Sequence, residues 1–314
     1  MLADRVDRLA AGHYTIPSIP HDVARHAVGP YTGLPVGSPG KVGVLDLAFE
    51  RRGDRTEMTA HYQKTPLQIM RPLYYDPARP DMPYVIVMAA GAGALQGDRY
   101  RIDLTCGADA AVHVMTQAAT KIFRMEQDYA SQLVTITAGP GGYVEYLPDA
   151  VIPFAESRFY QRTQVTLDPT ATVVLAETML AGRLARGERH DYTAYCSDLE
   201  VRRPGGELLF ADPIRLVPAR SPVTGPAMFG DHGVLSTLYV ITSAADAAEL
   251  ADTMHEVVAG SGLTGGASTL PNRAGAWARL LGPESPQVIE TLERLWDAAR
   301  RTITGSPAPD RRKP

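Results

Sequence analysis

The chain has 314 residues, with 31 Lys and Arg against 35 Asp and Glu and a formal net charge of -4. That balance argues against a protein that holds nucleic acid by neutralising phosphates. Its two cysteines, Cys106 and Cys196, are too few and too far apart for a disulfide framework or a Cys-x-x-Cys metal clip, as suits a reducing cytosol. No charged segment leads into an apolar signal core and no apolar run approaches a membrane span, so a soluble, cytoplasmic protein without membrane contact is expected.

Residues 1–40 carry Pro17, Pro20, Pro30, Pro35 and Pro39 with several glycines and no sustained period, which predicts an extended or loose arm. From Lys41 the pattern changes. Leu45, Leu47 and Phe49 alternate with Asp46, Ala48 and Glu50, Gly53-Asp54 supplies a turn, and Met58, Ala60 and Tyr62 line one face of the return run, which together predict a β-hairpin. Short strand-like runs follow at 84–88, 102–104, 111–115, 133–137, 143–147, 164–167, 171–175, 192–196, 208–210 and 235–242. Their even spacing between turn residues favours a mostly β fold over alternating βαβ units. The expectation is one large domain over 41–304, layered or solenoid-like, with about two helices near the C-terminus. The first helix has a possible capping box at Ser243 and Asp246, a stripe of Leu250, Met254, Val257 and Val258, and Gly260 at its end. The second begins at Ser285-Pro286 and places Val288, Leu292, Leu295 and Trp296 on one face. Residues 305–314 are expected to be a disordered tail.

Gly91-Ala92-Gly93-Ala94-Leu95-Gln96-Gly97-Asp98 follows a strand, where a nucleotide loop would stand, but no Lys-Ser/Thr pair and no helix come after it. It reads as a glycine bend that could aim Asp98 into an interior cavity as a hard oxygen donor. Glu145, Asp149, Glu156 and Glu177 are comparable acids beside apolar runs, with arginines such as Arg158, Arg183 and Arg186 available as ion-pair partners. Thr116-Gln117-Ala118-Ala119-Thr120-Lys121-Ile122-Phe123-Arg124 is rich in groups that donate and accept hydrogen bonds. It suits a solvated turn or the wall of a polar passage. The eight histidines form no ligand motif, so no stable preformed metal site is expected, and no Gly-x-Ser-x-Gly or cysteine–histidine setting builds a nucleophile.

Taken in order, the 91–98 bend, the 116–124 stretch, Tyr146-Leu147-Pro148-Asp149-Ala150-Val151-Ile152-Pro153-Phe154 and Gly182-Arg183-Leu184-Ala185-Arg186-Gly187-Glu188 resemble the urease accessory protein UreD (UreH) family. Pro66-Leu67, Arg71-Pro72, Arg279-Leu280-Leu281 and Leu295-Trp296 extend the resemblance over roughly 42–301. It implies a non-catalytic scaffold that binds urease apoprotein and UreF, which recruits the GTPase UreG, and that helps deliver nickel(II) to urease, with an internal polar tunnel as the proposed route. By position, Asp98 matches the Asp of the family's Gly-Gly-Asp segment and Glu177 the Glu before its Gly-Arg motif. The candidate path residues are Asp98, Glu177, Thr116, Gln117, Thr120, Glu145 and Asp149, with nickel bound only transiently and no tightly held cofactor. Two other readings stand beside this one: an acid–base hydrolase or transferase using Asp98 with a second carboxylate, and a purely structural adaptor.

Overall fold

The computed structural model describes residues 7–27, 41–226 and 228–311. Two short helices, α1 (Ala11–Tyr14) and α2 (His21–Ala24), precede the hairpin of β1 (Val42–Arg52) and β2 (Arg55–Lys64), which turns through Gly53. The chain then coils. The first coil closes with β3 (Leu67–Ile69) and β4 (Tyr84–Ala89), the second is β5 (Arg99–Cys106), β6 (Ala111–Thr116) and β7 (Thr120–Ile122), and the third is β8 (Ala130–Ala138), β9 (Tyr143–Tyr146) and β10 (Val151–Pro153). A fourth is β11 (Arg158–Leu167) with β12 (Thr172–Leu180). Successive coils pair in parallel: β1, β5, β8 and β11 in one sheet, β4, β6, β9 and β12 in a second, and β7 with β10 on a short third side. The result is a β-solenoid of about four coils.

The parallel register explains the core. In-register strands stack the same position of each coil into a column, so Leu47, Leu104, Ile136, Val165 and Val201 form one buried aliphatic ladder across the first sheet. The fifth member belongs to β13 (Ala194–Arg202), which also adds in parallel before β14 (Leu208–Leu216) closes that sheet as an antiparallel edge. Pro213 is tolerated in β14 because an edge strand needs hydrogen bonds on one side only.

The second sheet continues in antiparallel fashion through β15 (Val234–Ile241), β17 (Gly275–Gly282) and the edge strand β16 (Thr264–Thr269). Its outer face is covered by α3 (Ala247–Ala259) and α4 (Ser285–Thr304), whose predicted stripes pack on Val174, Leu238 and Leu280. Asp246 alone caps α3, accepting from the Ala248 and Glu249 amides at 2.9 and 3.2 Å. Ser243, expected to share that cap, instead donates to the Pro169 carbonyl. On the outer face of the first sheet, Ile16 and Val23 pack with Leu133, Tyr160 and Cys196, so residues 7–27 are docked. Residues 28–40 of the expected arm lie outside the described residues. At the other end, the expected disordered tail folds back as far as it is described. The Ala308 amide donates to Asp297, and Arg311 pairs with Glu293 while lying over the Trp296 ring.

Packing of α4 carries a buried polar network. Arg300, wholly buried, pairs with Asp76 and donates to the Tyr84 hydroxyl at 2.8 Å, and its guanidinium lies 3.8 Å from Glu145. Glu145 meets the His113 Nδ1 at 2.7 Å and accepts from the Tyr143 hydroxyl at 2.7 Å. Burial keeps the His113 imidazole below its ordinary value, and therefore neutral, although Glu145 pulls the other way. Burial opposes the Glu145 charge as well, yet the His113 hydrogen bond and Arg300 bring its carboxyl below the usual range. Removing one partner of a buried pair strands the others, at a cost of about 3–5 kcal/mol. Arg300→Met is therefore expected to lose about that much in urea unfolding; unfolding at the wild-type urea concentration would show that the network does not hold α4.

Candidate functional site

Along the solenoid interior the aliphatic columns give way to a polar layer. Four residues before the Leu47 column, the same strands present Gly43, Tyr100, Gln132, Gln161 and Ser197 in register. Opposite them, the second sheet presents Thr116 on β6, Glu177 on β12, Thr237 on β15 and Arg279 on β17, the last three in register. Between these faces lies a cavity of about 210 Å³, room for several water molecules. Tyr100, Gln132, Gln161 and Glu177 line its interior, and the 117–121 segment and the glycine bend form its outer wall. Gln117 and Lys121 are exposed at this outer end.

The bend is fixed to β7 by two backbone hydrogen bonds, Ala94 N–H to the Lys121 carbonyl at 2.8 Å and Phe123 N–H to the Ala94 carbonyl at 3.0 Å. Gly93 allows this approach. Its φ is 155°, and a Cβ there would stand 2.3 Å from the Lys121 oxygen.

Five of the seven sequence-predicted residues line this cavity: Thr116, Gln117, Thr120, Asp149 and Glu177. Thr116 and Asp149 are mutually bonded, the Asp149 amide donating to the Thr116 hydroxyl at 2.7 Å and that hydroxyl donating to the carboxylate at 3.1 Å. Asp98 and Glu145 do not line it. The buried Asp98 carboxylate accepts from the Lys41 and Leu95 amides at 2.8 and 2.9 Å and from the Tyr100 hydroxyl at 2.9 Å. It is a staple behind the wall, one residue removed from the lumen through Tyr100. Glu145 points the other way because side chains alternate along a strand: Val144 and Tyr146 face the solenoid core, whereas Glu145 faces α4.

Glu177 differs from both. Its partners are neutral: the Gln161 amide at 3.1 Å and the hydroxyls of Ser197 at 3.4 Å and Thr163 at 3.5 Å. Burial pushes its carboxyl up to about 7; nearby Asp212 adds to the rise, while the Gln161 and Ser197 hydrogen bonds and Arg279 restrain it. Asp212 and Arg279 form a partly exposed ion pair beyond Glu177. The polar layer therefore runs from Gln117 past Glu177 to a second charged group near the surface. Gln161, Ser197 and Asp212 escaped the sequence reading, and Arg279 entered it only as part of a family landmark, because the approach of these residues to Glu177 comes from the packing of the two sheets and not from any local pattern.

Chemically the site is a corridor of amide, hydroxyl and carboxylate oxygens with one acid that titrates near neutrality. Among the described residues no group of three or more His, Cys, Asp or Glu side chains is placed to hold a metal ion. The acid–base reading fails on Asp98, whose oxygens are occupied by two amides and a phenol outside the cavity. No helix among the described residues is long and apolar enough to cross a membrane.

The site is a polar cavity inside a β-solenoid that two C-terminal helices cover on one side. The UreD urease accessory protein family matches residues 41–314. The chain is 56% identical over 283 residues to urease accessory protein UreD 2 of Streptomyces griseus, covering 90% of this chain and 97% of that protein. It is 40% identical over 278 residues to urease accessory protein UreD of Haloarcula marismortui, with 88% and 92% covered, and 38% identical over 280 residues to UreD 2 of Brucella suis, with 88% and 93% covered. This chain belongs to the UreD family of urease accessory proteins, non-catalytic proteins of urease maturation.

Two stability measurements separate the acids. Because the folded-state pKa of Glu177 is raised, stability falls as pH rises from the ordinary carboxyl value, where the unfolded chain ionises first, to about 7, and the full penalty persists above that. Glu177→Gln should thus be more stable than wild type at pH 8 by roughly 1–3 kcal/mol, with the difference vanishing toward pH 4; an equal difference at both pH values would contradict the assignment. Asp98→Ala should be destabilised by about 2–4 kcal/mol, with faster amide exchange at Leu95. Wild-type exchange there would exclude the staple.

Proposed function

We propose that this chain acts in the cytoplasm as a scaffold that binds urease apoprotein and UreF, through which the GTPase UreG is recruited, and that lets nickel(II) pass transiently along its internal polar layer to the urease site. Family membership supports the first part. The observation that carries the second is Glu177, a partly buried carboxylate lining a solvent-sized cavity, with no cation among the described residues paired directly against it. Paired acids such as Glu145 serve packing, whereas an acid held by neutral donors retains the capacity to exchange its proton for a passing cation.

A conduit must release its ion as readily as it accepts it. One carboxylate with amide and hydroxyl oxygens, lacking imidazole and thiolate, is a weak site for nickel. Thr116, Gln117, Thr120 and Asp149 would form the outer part of the path, while Asp98 would shape the bend without touching the ion. In the adaptor reading the cavity would be only a packing defect filled by water.

The test is nickel-dependent activation of urease by the reconstituted accessory complex. Glu177→Gln should still co-purify with UreF and urease apoprotein but slow activation by about tenfold, equivalent to roughly 1.4 kcal/mol on the path. The ratio of wild-type to variant rate should grow from pH 6 to pH 8 as the wild-type carboxyl ionises. Full-rate activation by the variant at both pH values would leave the adaptor reading.

A further inference from the structure

Beside the cavity, and sharing Lys121 with it, lies an open groove of about 900 Å³ between β7, the segment after β10, the 182–189 loop and the start of α4. Its floor is apolar. Phe123 and Phe154 meet edge to face with centroids 5.0 Å apart, and Ile152 and Leu180 extend the surface. Both rings are partly exposed. The rim is cationic. Arg183 is neutralised by Glu188 and lies 4.3 Å over the Phe154 ring, which stiffens the floor. Lys121, Arg186 and Arg189 are exposed and make no ion pair with any described residue, and Glu284 is the acid lining the groove that faces them.

On a chain whose net charge is -4, three exposed cations without a salt bridge to any described residue, outnumbering the acid Glu284 around a partly exposed aromatic pair, form a local reversal of sign. Hydrated surface charges do not require an aromatic floor; a docked segment does, because buried rings supply most of an interface's energy while rim charges select and steer the partner. We infer that this groove docks an acidic segment of a partner protein, an aromatic or aliphatic side chain covering Phe123 and Phe154 while its carboxylates meet Lys121, Arg186 and Arg189. The cations cluster at one pocket rather than along a stripe, which favours a short acidic peptide over a nucleic acid backbone. Resting on the conduit reading, a further consequence is that the docked carboxylates would neutralise Lys121, whose ammonium otherwise opposes entry of a divalent cation at the cavity's outer end.

The experiment uses the full chain and a short fluorescein-labelled peptide of Glu, Asp, Leu and Phe, followed by anisotropy, with a peptide carrying Lys at the acidic positions and oligothymidylate as comparisons. The acidic peptide should bind more tightly than either, and added salt should weaken it. Lys121→Glu/Arg186→Glu/Arg189→Glu should weaken binding at least about tenfold, and Phe154→Ala by about tenfold. Arg55→Glu, on the distant hairpin, should change nothing, and urea unfolding checks that each variant is folded. No preference for the acidic peptide, binding unchanged by the triple reversal, or tighter binding of oligothymidylate would each overturn the proposal. Glu177→Gln should bind the peptide as wild type does, so failure of the groove and failure of the conduit are read in separate assays.

Discussion

The in-register stacking of parallel coils is the constraint on which the rest of this structure depends. Once β1, β5, β8, β11 and β13 share a register, each interior position becomes a column, and a column must be chemically consistent along its length. Aliphatic columns make the core at little cost in specificity. A polar residue in such a column must find its hydrogen bonds among its stacked neighbours or across the lumen, since solvent does not reach it. Gln161 and Ser197 meet this requirement with Glu177, and the layer they form with Gln132 is where a closed solenoid core becomes a cavity.

Three interior acids, Asp98 and Glu145 buried and Glu177 partly so, show how environment assigns a role to one side-chain type. Asp98 is used up by two backbone amides and a phenol, so it fixes a turn. Glu145 is drawn into a charged network with Arg300 and His113, so it fastens a helix to a sheet. Glu177 faces neutral donors inside a solvent-sized space, and burial leaves it near its titration point at neutral pH. Only the third arrangement leaves a carboxylate free to change its state without dismantling the fold.

Much of the architecture was legible in the sequence. The hairpin alternation around Leu45, Leu47 and Phe49, the short apolar runs and the stripes of the two late helices have local signatures and fall in observed elements, although the run at 192–196 covers only the start of β13. Strand β16, with Gly265, Gly266 and Ala267, carries no apolar alternation and was not visible. The site was legible in part. Thr116, Gln117, Thr120, Asp149 and Glu177 converge on the cavity, but Glu145 could not be assigned a face, because β9 is buried on both sides and its neighbours give no inside-outside alternation. Gln161 and Ser197, in register on β11 and β13, meet Glu177 of the facing sheet only across the lumen, which leaves no local mark in the sequence.

The central claim is that the polar layer beside Glu177 accepts nickel(II) when its carboxyl is ionised. The most direct measurement is an anomalous difference map at the nickel absorption edge, from crystals of the chain soaked in nickel(II) at pH 8 and at pH 5. The account predicts a peak in the cavity within coordination distance of the Glu177 carboxylate at pH 8 that disappears at pH 5. Peaks confined to surface histidines at both pH values, with the cavity empty of nickel, would contradict it.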